Sequence, residues 1–103
     1  MMTSLDDLNA KVFREQLHTQ FKVNAGGQPL SLELIEVTER QDSPRTEFFS
    51  LHFRGPISPR LPQQIHRLEH ARLGTFEIFL TTISADEQGT VYEAIFHRFR
   101  KQS

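Results

Sequence analysis

The chain has 103 residues, room for one domain but not comfortably for two. Twelve Lys+Arg against 13 Asp+Glu leave a net charge of −1, which argues against nucleic-acid binding by bulk electrostatics. There is no cysteine, so disulfide scaffolds, thiolate zinc sites and cysteine nucleophiles are excluded.

A domain of this size hides somewhat over ~60% of the surface its unfolded chain exposes, so one core can hold it without metal or disulfides. Nine phenylalanines supply much of that core, with Tyr92 the single tyrosine. The acidic start Met1-Met2-Thr3-Ser4-Leu5-Asp6-Asp7 lacks the apolar stretch of a signal peptide. No apolar run approaches the ~20 residues that span a bilayer. The expectation is a soluble, cytoplasmic protein.

Residues 5–16 read as a short helix with Leu5, Leu8 and Val12 on one face and Ala10 and Phe13 near it. Two starts are open: Ser4 as cap with Asp6 and Asp7 in the first turn, or Asn9 as cap of a shorter helix beginning at Ala10. From Thr19 onward the pattern is that of strands. Thr19, Phe21 and Val23 alternate with polar residues, and Gly26-Gly27 marks a turn. Leu30, Leu32 and Leu34 continue on one face, and then the register breaks, with Ile35 and Val37 on the other side. A β-bulge there would restore one face and bend the sheet toward closure. Arg40–Pro44 is a polar loop.

Phe49, Leu51 and Phe53 then alternate with Ser50, His52 and Arg54 before Gly55-Pro56, the signature of a half-buried strand with a sharp end. Three prolines between Pro56 and Pro62 make the next segment stiff and extended, suited to crossing the end of a sheet. A fourth strand covers 64–71, with His66 and Leu68 on one face. A fifth puts Phe76, Ile78 and Leu80 inward. A sixth runs from Val91 to Phe99 with Tyr92, Ala94 and Phe96 inward, after the polar turn Asp86–Gly89. The predicted fold is all-β: a six-stranded antiparallel barrel or curled sandwich over residues 1–103, with one short N-terminal helix and strands across 19–99.

Six apolar residues do not fit the inner faces: Ile35, Val37, Phe48, Phe79, Ile95 and Phe99. The expectation is that the N-terminal helix lies over them, since a helix on a sheet is the usual way to hide a second face. The competing reading is a self-association or partner surface.

Candidate chemistry is sparse. His66 and His70, four apart, would share a helical face, but on a strand they stand ~13 Å apart, too far to share one metal. His52 could meet His66 or His97 only by cross-strand register. His70 reads as a structural residue whose ring bonds amides of the Ala71–Gly74 turn. Glu69, Glu77 and Glu93 read as partners of Arg67, Arg54 or Arg98 on a solvated face rather than as catalytic acids. Ser50 and His52 share a face without a nucleophile elbow, and there is no phosphate-binding lysine loop. The tail His97-Arg98-Phe99-Arg100-Lys101 mixes basic and aromatic residues, a weak nucleic-acid signal at a chain end.

The laid-out strands resemble an uncharacterised bacterial domain family of about this length, a domain of unknown function. The resemblance rests on Leu32–Val37, Phe49-Ser50-Leu51-His52-Phe53-Arg54-Gly55-Pro56, Pro62-Gln63, Arg67-Leu68-Glu69-His70, Leu73-Gly74, Phe79-Leu80 and Tyr92-Glu93-Ala94-Ile95-Phe96, and spans about Leu8 to Arg98. His66 stands where an aromatic is usual, which weakens it as a shared ligand. The family implies no catalytic residues, and at most an accessory role beside phage-tail-like proteins.

The reading is therefore a non-enzymatic protein-interaction or structural module without cofactor or metal, whose partner is another protein or a second copy. The alternative is a small-ligand-binding barrel or enzyme using His52, Arg54, His66, His70 and Tyr92 at the barrel mouth.

Overall fold

A computed structural model describes residues 2–40 and 44–99. Six strands, β1 (Gln20–Ala25), β2 (Gln28–Arg40), β3 (Thr46–Gly55), β4 (Gln64–His70), β5 (Gly74–Asp86) and β6 (Gly89–Phe99), close into an antiparallel barrel in the order β1-β2-β3-β6-β5-β4. The chain thus makes two three-stranded meanders, β1–β3 and β4–β6, joined by the proline-rich segment. One end carries the N-terminal residues and the β2–β3 and β4–β5 connections. The other carries the β1–β2 and β5–β6 turns and the proline-rich crossing.

Local chemistry sets these elements. Gly26 and Gly27, at φ 60° and 89°, form a two-residue hairpin loop between Ala25 and Gln28, which are in register. Gly89 sits at φ 133°, where an added Cβ would lie 2.3 Å from the Gly55 carbonyl oxygen, so only glycine lets β6 start beside the end of β3. The pairing of β2 with β3 shifts register between Leu34 and Glu36, placing the expected bulge at Ile35. Past it Val37 is level with Leu51 and packs against the core.

The interior is filled. Phe21, Leu32, Leu34, Phe49, Leu51, Phe53, Leu68, Phe76 and Leu80 are fully buried. Phe49 and Phe96 stack at 4.5 Å, and Phe21 meets Phe53 edge-on at 5.2 Å. At the crossing end, Leu61 turns inward and its N–H donates to the Tyr92 hydroxyl at 2.9 Å.

The N-terminal segment corrects the sequence reading. In place of one helix over 5–16 there is a 3-10 turn, Leu5–Asp7, and a short α1, Ala10–Arg14. Both candidate caps are used: Ser4 Oγ accepts from Asp6 N–H at 3.2 Å, and Asn9 Oδ1 from Val12 N–H at 2.9 Å. Nor does the helix lie over the outer face. Leu8, Ala10 and Phe13 enter the barrel end, where the Phe13 ring meets Phe49, Phe76 and Phe96 at 6.1, 5.9 and 5.8 Å. A barrel end left open would wet those rings, and burying them outweighs covering an outer wall that already has a polar majority. Arg98 ties the segment down: its guanidinium donates to the Leu5 carbonyl at 2.7 Å, to the Leu8 carbonyl and to Glu47 at 2.6 Å.

The β2–β3 loop centre (41–43) and the basic tail beyond Phe99 lie outside the described residues. Among the described residues no helix is long and apolar enough to cross a membrane.

Candidate interaction groove

The five polar residues singled out from the sequence do not converge on one mouth. His52 and Arg54 lie on the outer wall of β3. His52 sits in a cross-strand row, with Nε2 3.0 Å from Glu93 Oε2 and Nδ1 3.4 Å from Glu36 Oε1. Glu93 is therefore partnered by His52, whereas Arg98 takes Glu47 and Arg67 meets Glu77 at 3.7 Å. Arg54 Nε is buried without a hydrogen-bond partner among the described residues. Tyr92 and His66 face inward near the crossing end, where the His66 Nε2–H donates to the Pro62 carbonyl at 2.7 Å.

His70 is at the opposite, helix end, beside a mixed-charge cleft of about 960 Å³ that includes Glu15, Lys22, Glu69 and Arg72. Its Nδ1 accepts from the Arg72 and Leu73 amides at 3.0 and 3.2 Å, as expected for a ring bonding its own turn. Nδ1 is thus the acceptor and Nε2 carries the proton, donating to Thr19 Oγ1 at 2.8 Å; that hydroxyl in turn donates to the Gln16 carbonyl at 2.7 Å. Burial, then the Arg72 guanidinium, lowers the His70 pKa from its ordinary value. With both nitrogens engaged by its own chain, the ring offers a ligand neither a proton nor a lone pair.

A different feature stands out on the outer wall. The β5–β6 ladder runs from Asp86↔Gly89 only as far as Thr81↔Glu93. Toward the helix end, Gly74–Leu80 and Ala94–Phe99 have no register partners in one another, although β5 stays paired with β4 and β6 with β3. The Phe13 ring stands between Phe76 of β5 and Phe96 of β6 at this level. The divergence leaves a groove of about 540 Å³ whose lining includes Ile78, Ala94 and Phe96 from the core side and Phe79 and Ile95 from the wall. Ile65, Phe79 and Ile95 are 63%, 50% and 59% exposed, and Ile65 is level with Phe79 across β4 and β5. Asp6 and Glu77 add two carboxylates.

Of the six residues expected on the second face, the structure thus separates two kinds. Val37 is turned inward past the bulge, Ile35 is half-buried, and Phe48 is roofed by the Arg40 guanidinium at 5.1 Å and the His97 ring at 5.4 Å. Phe79, Ile95 and Phe99 remain exposed. Ile65 escaped the sequence reading, because one isoleucine on an otherwise polar face is unremarkable until register sets it beside Phe79.

A family model, described as a domain of unknown function (DUF6916), matches residues 8–96, and the chain belongs to that family. No curated protein and no solved structure matches it.

Proposed function

We propose that this domain is a non-enzymatic protein-interaction module that works in the cytoplasm and engages its partner through the β5–β6 groove and its apolar rim. The observation that carries the reading is the exposure of Ile65, Phe79 and Ile95 together around a groove whose base is the core itself. Large apolar side chains clustered beside a concave surface favour partner binding, where singly scattered ones would not. The chemistry-bearing residues support it by their occupations: His70, His66 and Tyr92 each hold a loop or turn in place, and His52 lies in a carboxylate row. An accessory role in a phage-tail-like assembly is the setting that the family resemblance implies.

The test uses the full chain as bait beside a Phe79→Ser/Ile95→Ser variant. Partners are expected that bind the unaltered chain, are lost at least tenfold with the variant, and rebind when purified. Candidates encoded nearby, including tail proteins, are the first to reconstitute. A partner set indifferent to the double substitution refutes the reading.

A further inference from the structure

We propose that the groove receives an extended segment of a partner chain as an added β-strand between β5 and β6. The proposal deepens the interaction reading and rests on it. Its basis is the backbone rather than the apolar rim alone. The Thr3 N–H donates to the Thr75 carbonyl at 2.6 Å, and Met2 bridges Thr75 in parallel. Thr75 is level with Glu69 of β4 on its other flank, and because its carbonyl takes the Thr3 N–H, its backbone polar groups point away from β4, toward the opening. In a strand these groups alternate from side to side. Glu77, Phe79 and Thr81 therefore point the same way as Thr75.

Thr81 meets Glu93 across the closed part of the ladder, so alternation along β6 turns Ile95 and His97 toward the same opening. Glu77 and Phe79 on one bank and Ile95 and His97 on the other thus present N–H and C=O groups with no partner strand between them among the described residues. Barrels ordinarily abolish such edges, and an unpaired edge is a template for another strand. Here two edges face each other, and the chain's own Met2–Thr3 segment already adds to one of them at its outer end.

The side chains define the occupant. A strand lying in the groove alternates its residues inward, onto Ile78, Ala94 and Phe96, and outward, level with Phe79 and Ile95. Both sets are apolar in the middle of the groove. Toward the helix end lie Asp6, whose carboxylate has no ion pair among the described residues, and Glu77, which shares only the 3.7 Å contact with Arg67, while the Arg98 guanidinium in the same lining is taken up by Glu47 and the Leu5 and Leu8 carbonyls. The partner is thus an extended peptide segment with a short apolar centre and a basic residue at one end.

The probe is a displayed library of random 12-residue peptides selected on the full chain. Selected peptides are expected to carry the apolar centre and basic end, and to lose binding with Phe79→Ser. His97→Pro removes one N–H that faces the opening, a change that strands tolerate on an edge, while His97→Ala keeps it. Binding is expected to be at least tenfold weaker with His97→Pro than with His97→Ala, which shares the loss of the ring but keeps the N–H.

N-methylation of a selected peptide at alternate residues gives a second measurement that needs no variant to fold. Loss of at least tenfold is expected. Tolerance of N-methylation in both alternating registers overturns strand addition, as does a library that yields no peptide sensitive to Phe79→Ser. A natural partner that depends on Phe79 and Ile95 while the backbone tests fail leaves the interaction reading standing and removes only the strand mode. A partner set indifferent to those side chains removes both.

Discussion

Replacing Phe13 with alanine separates the two places that the N-terminal helix could have occupied. The side chain is fully buried and touches three aromatic rings, Phe49, Phe76 and Phe96, one from each of β3, β5 and β6. Truncating a phenylalanine in a packed core costs about 3–5 kcal/mol, from lost transfer energy and the cavity left behind. Three ring contacts place Phe13 in the upper half of that range. A loss of about 4 kcal/mol is a large share of the ~5–15 kcal/mol that holds a small domain together. At roughly 4–8 °C per kcal/mol, Phe13→Ala should lower Tm by roughly 15–30 °C.

Urea unfolding followed by circular dichroism measures the change, and an unchanged m shows that the folded state remains compact. Phe79→Ala is the internal control: half exposed on the wall, it should shift stability by no more than about 0.5 kcal/mol. If Phe13→Ala costs under about 1 kcal/mol, or Phe79→Ala costs as much as Phe13→Ala, the helix is not the plug of the barrel end and belongs over the outer wall.

Two further outcomes follow from the polar contacts at the same end. The His70 pKa is lowered in the folded state, so its contribution to stability is complete above the ordinary value of 6.5 and is lost as pH falls from there toward the folded value. Wild-type stability should fall faster than that of His70→Asn between pH 6.5 and 5, since the asparagine carbonyl can accept the same turn amides and takes no proton; parallel pH curves would refute the tautomer assignment. Arg98→Ala removes charge-assisted bonds to the Leu5 and Leu8 carbonyls and to Glu47, of a kind that contributes about 1.5–3 kcal/mol each. Amides of residues 5–13 should then exchange at least tenfold faster by mass spectrometry while β3 is unchanged, and Arg98→Lys should recover only part, since a point charge cannot span three acceptors. Unchanged exchange at the N-terminus would show that Phe13 alone holds it.

The strands were legible because their information is local. Alternation in Phe49–Phe53 and Phe76–Leu80 specifies an inner face wherever the partner strand lies, and the glycine turns announce themselves. The bulge at Ile35 was legible for the same reason, as an interruption of a two-residue period. The helix's place was not. Leu8, Ala10 and Phe13 say that a helix buries one side, but not whether a barrel end or a barrel wall receives it; that depends on which rings the closed sheet leaves unfilled. His70's ring contacts were readable because the turn that satisfies them is adjacent in sequence, whereas the His52 row with Glu36 and Glu93 needed the register of three strands.

The groove was the least legible feature, and the reason bears on how it works. Nothing in Glu77-Ile78-Phe79 or Ala94-Ile95-Phe96-His97 marks either segment as unpaired on one flank, because each is a regular strand on the other. The opening arises from closure: six strands, β2 and β5 each 13 residues long, must come round on themselves while the barrel end also takes in Phe13, between Phe76 and Phe96. The plug and the groove are then two aspects of one packing problem. A smaller residue at 13 would let β5 and β6 approach and extend their ladder past Thr81 and Glu93, at the expense of the core contacts that the phenylalanine makes. On this argument the segment that seals the barrel end also keeps the two strand edges apart, so loss of the Phe13 plug should weaken groove binding even though residue 13 is not part of the groove lining.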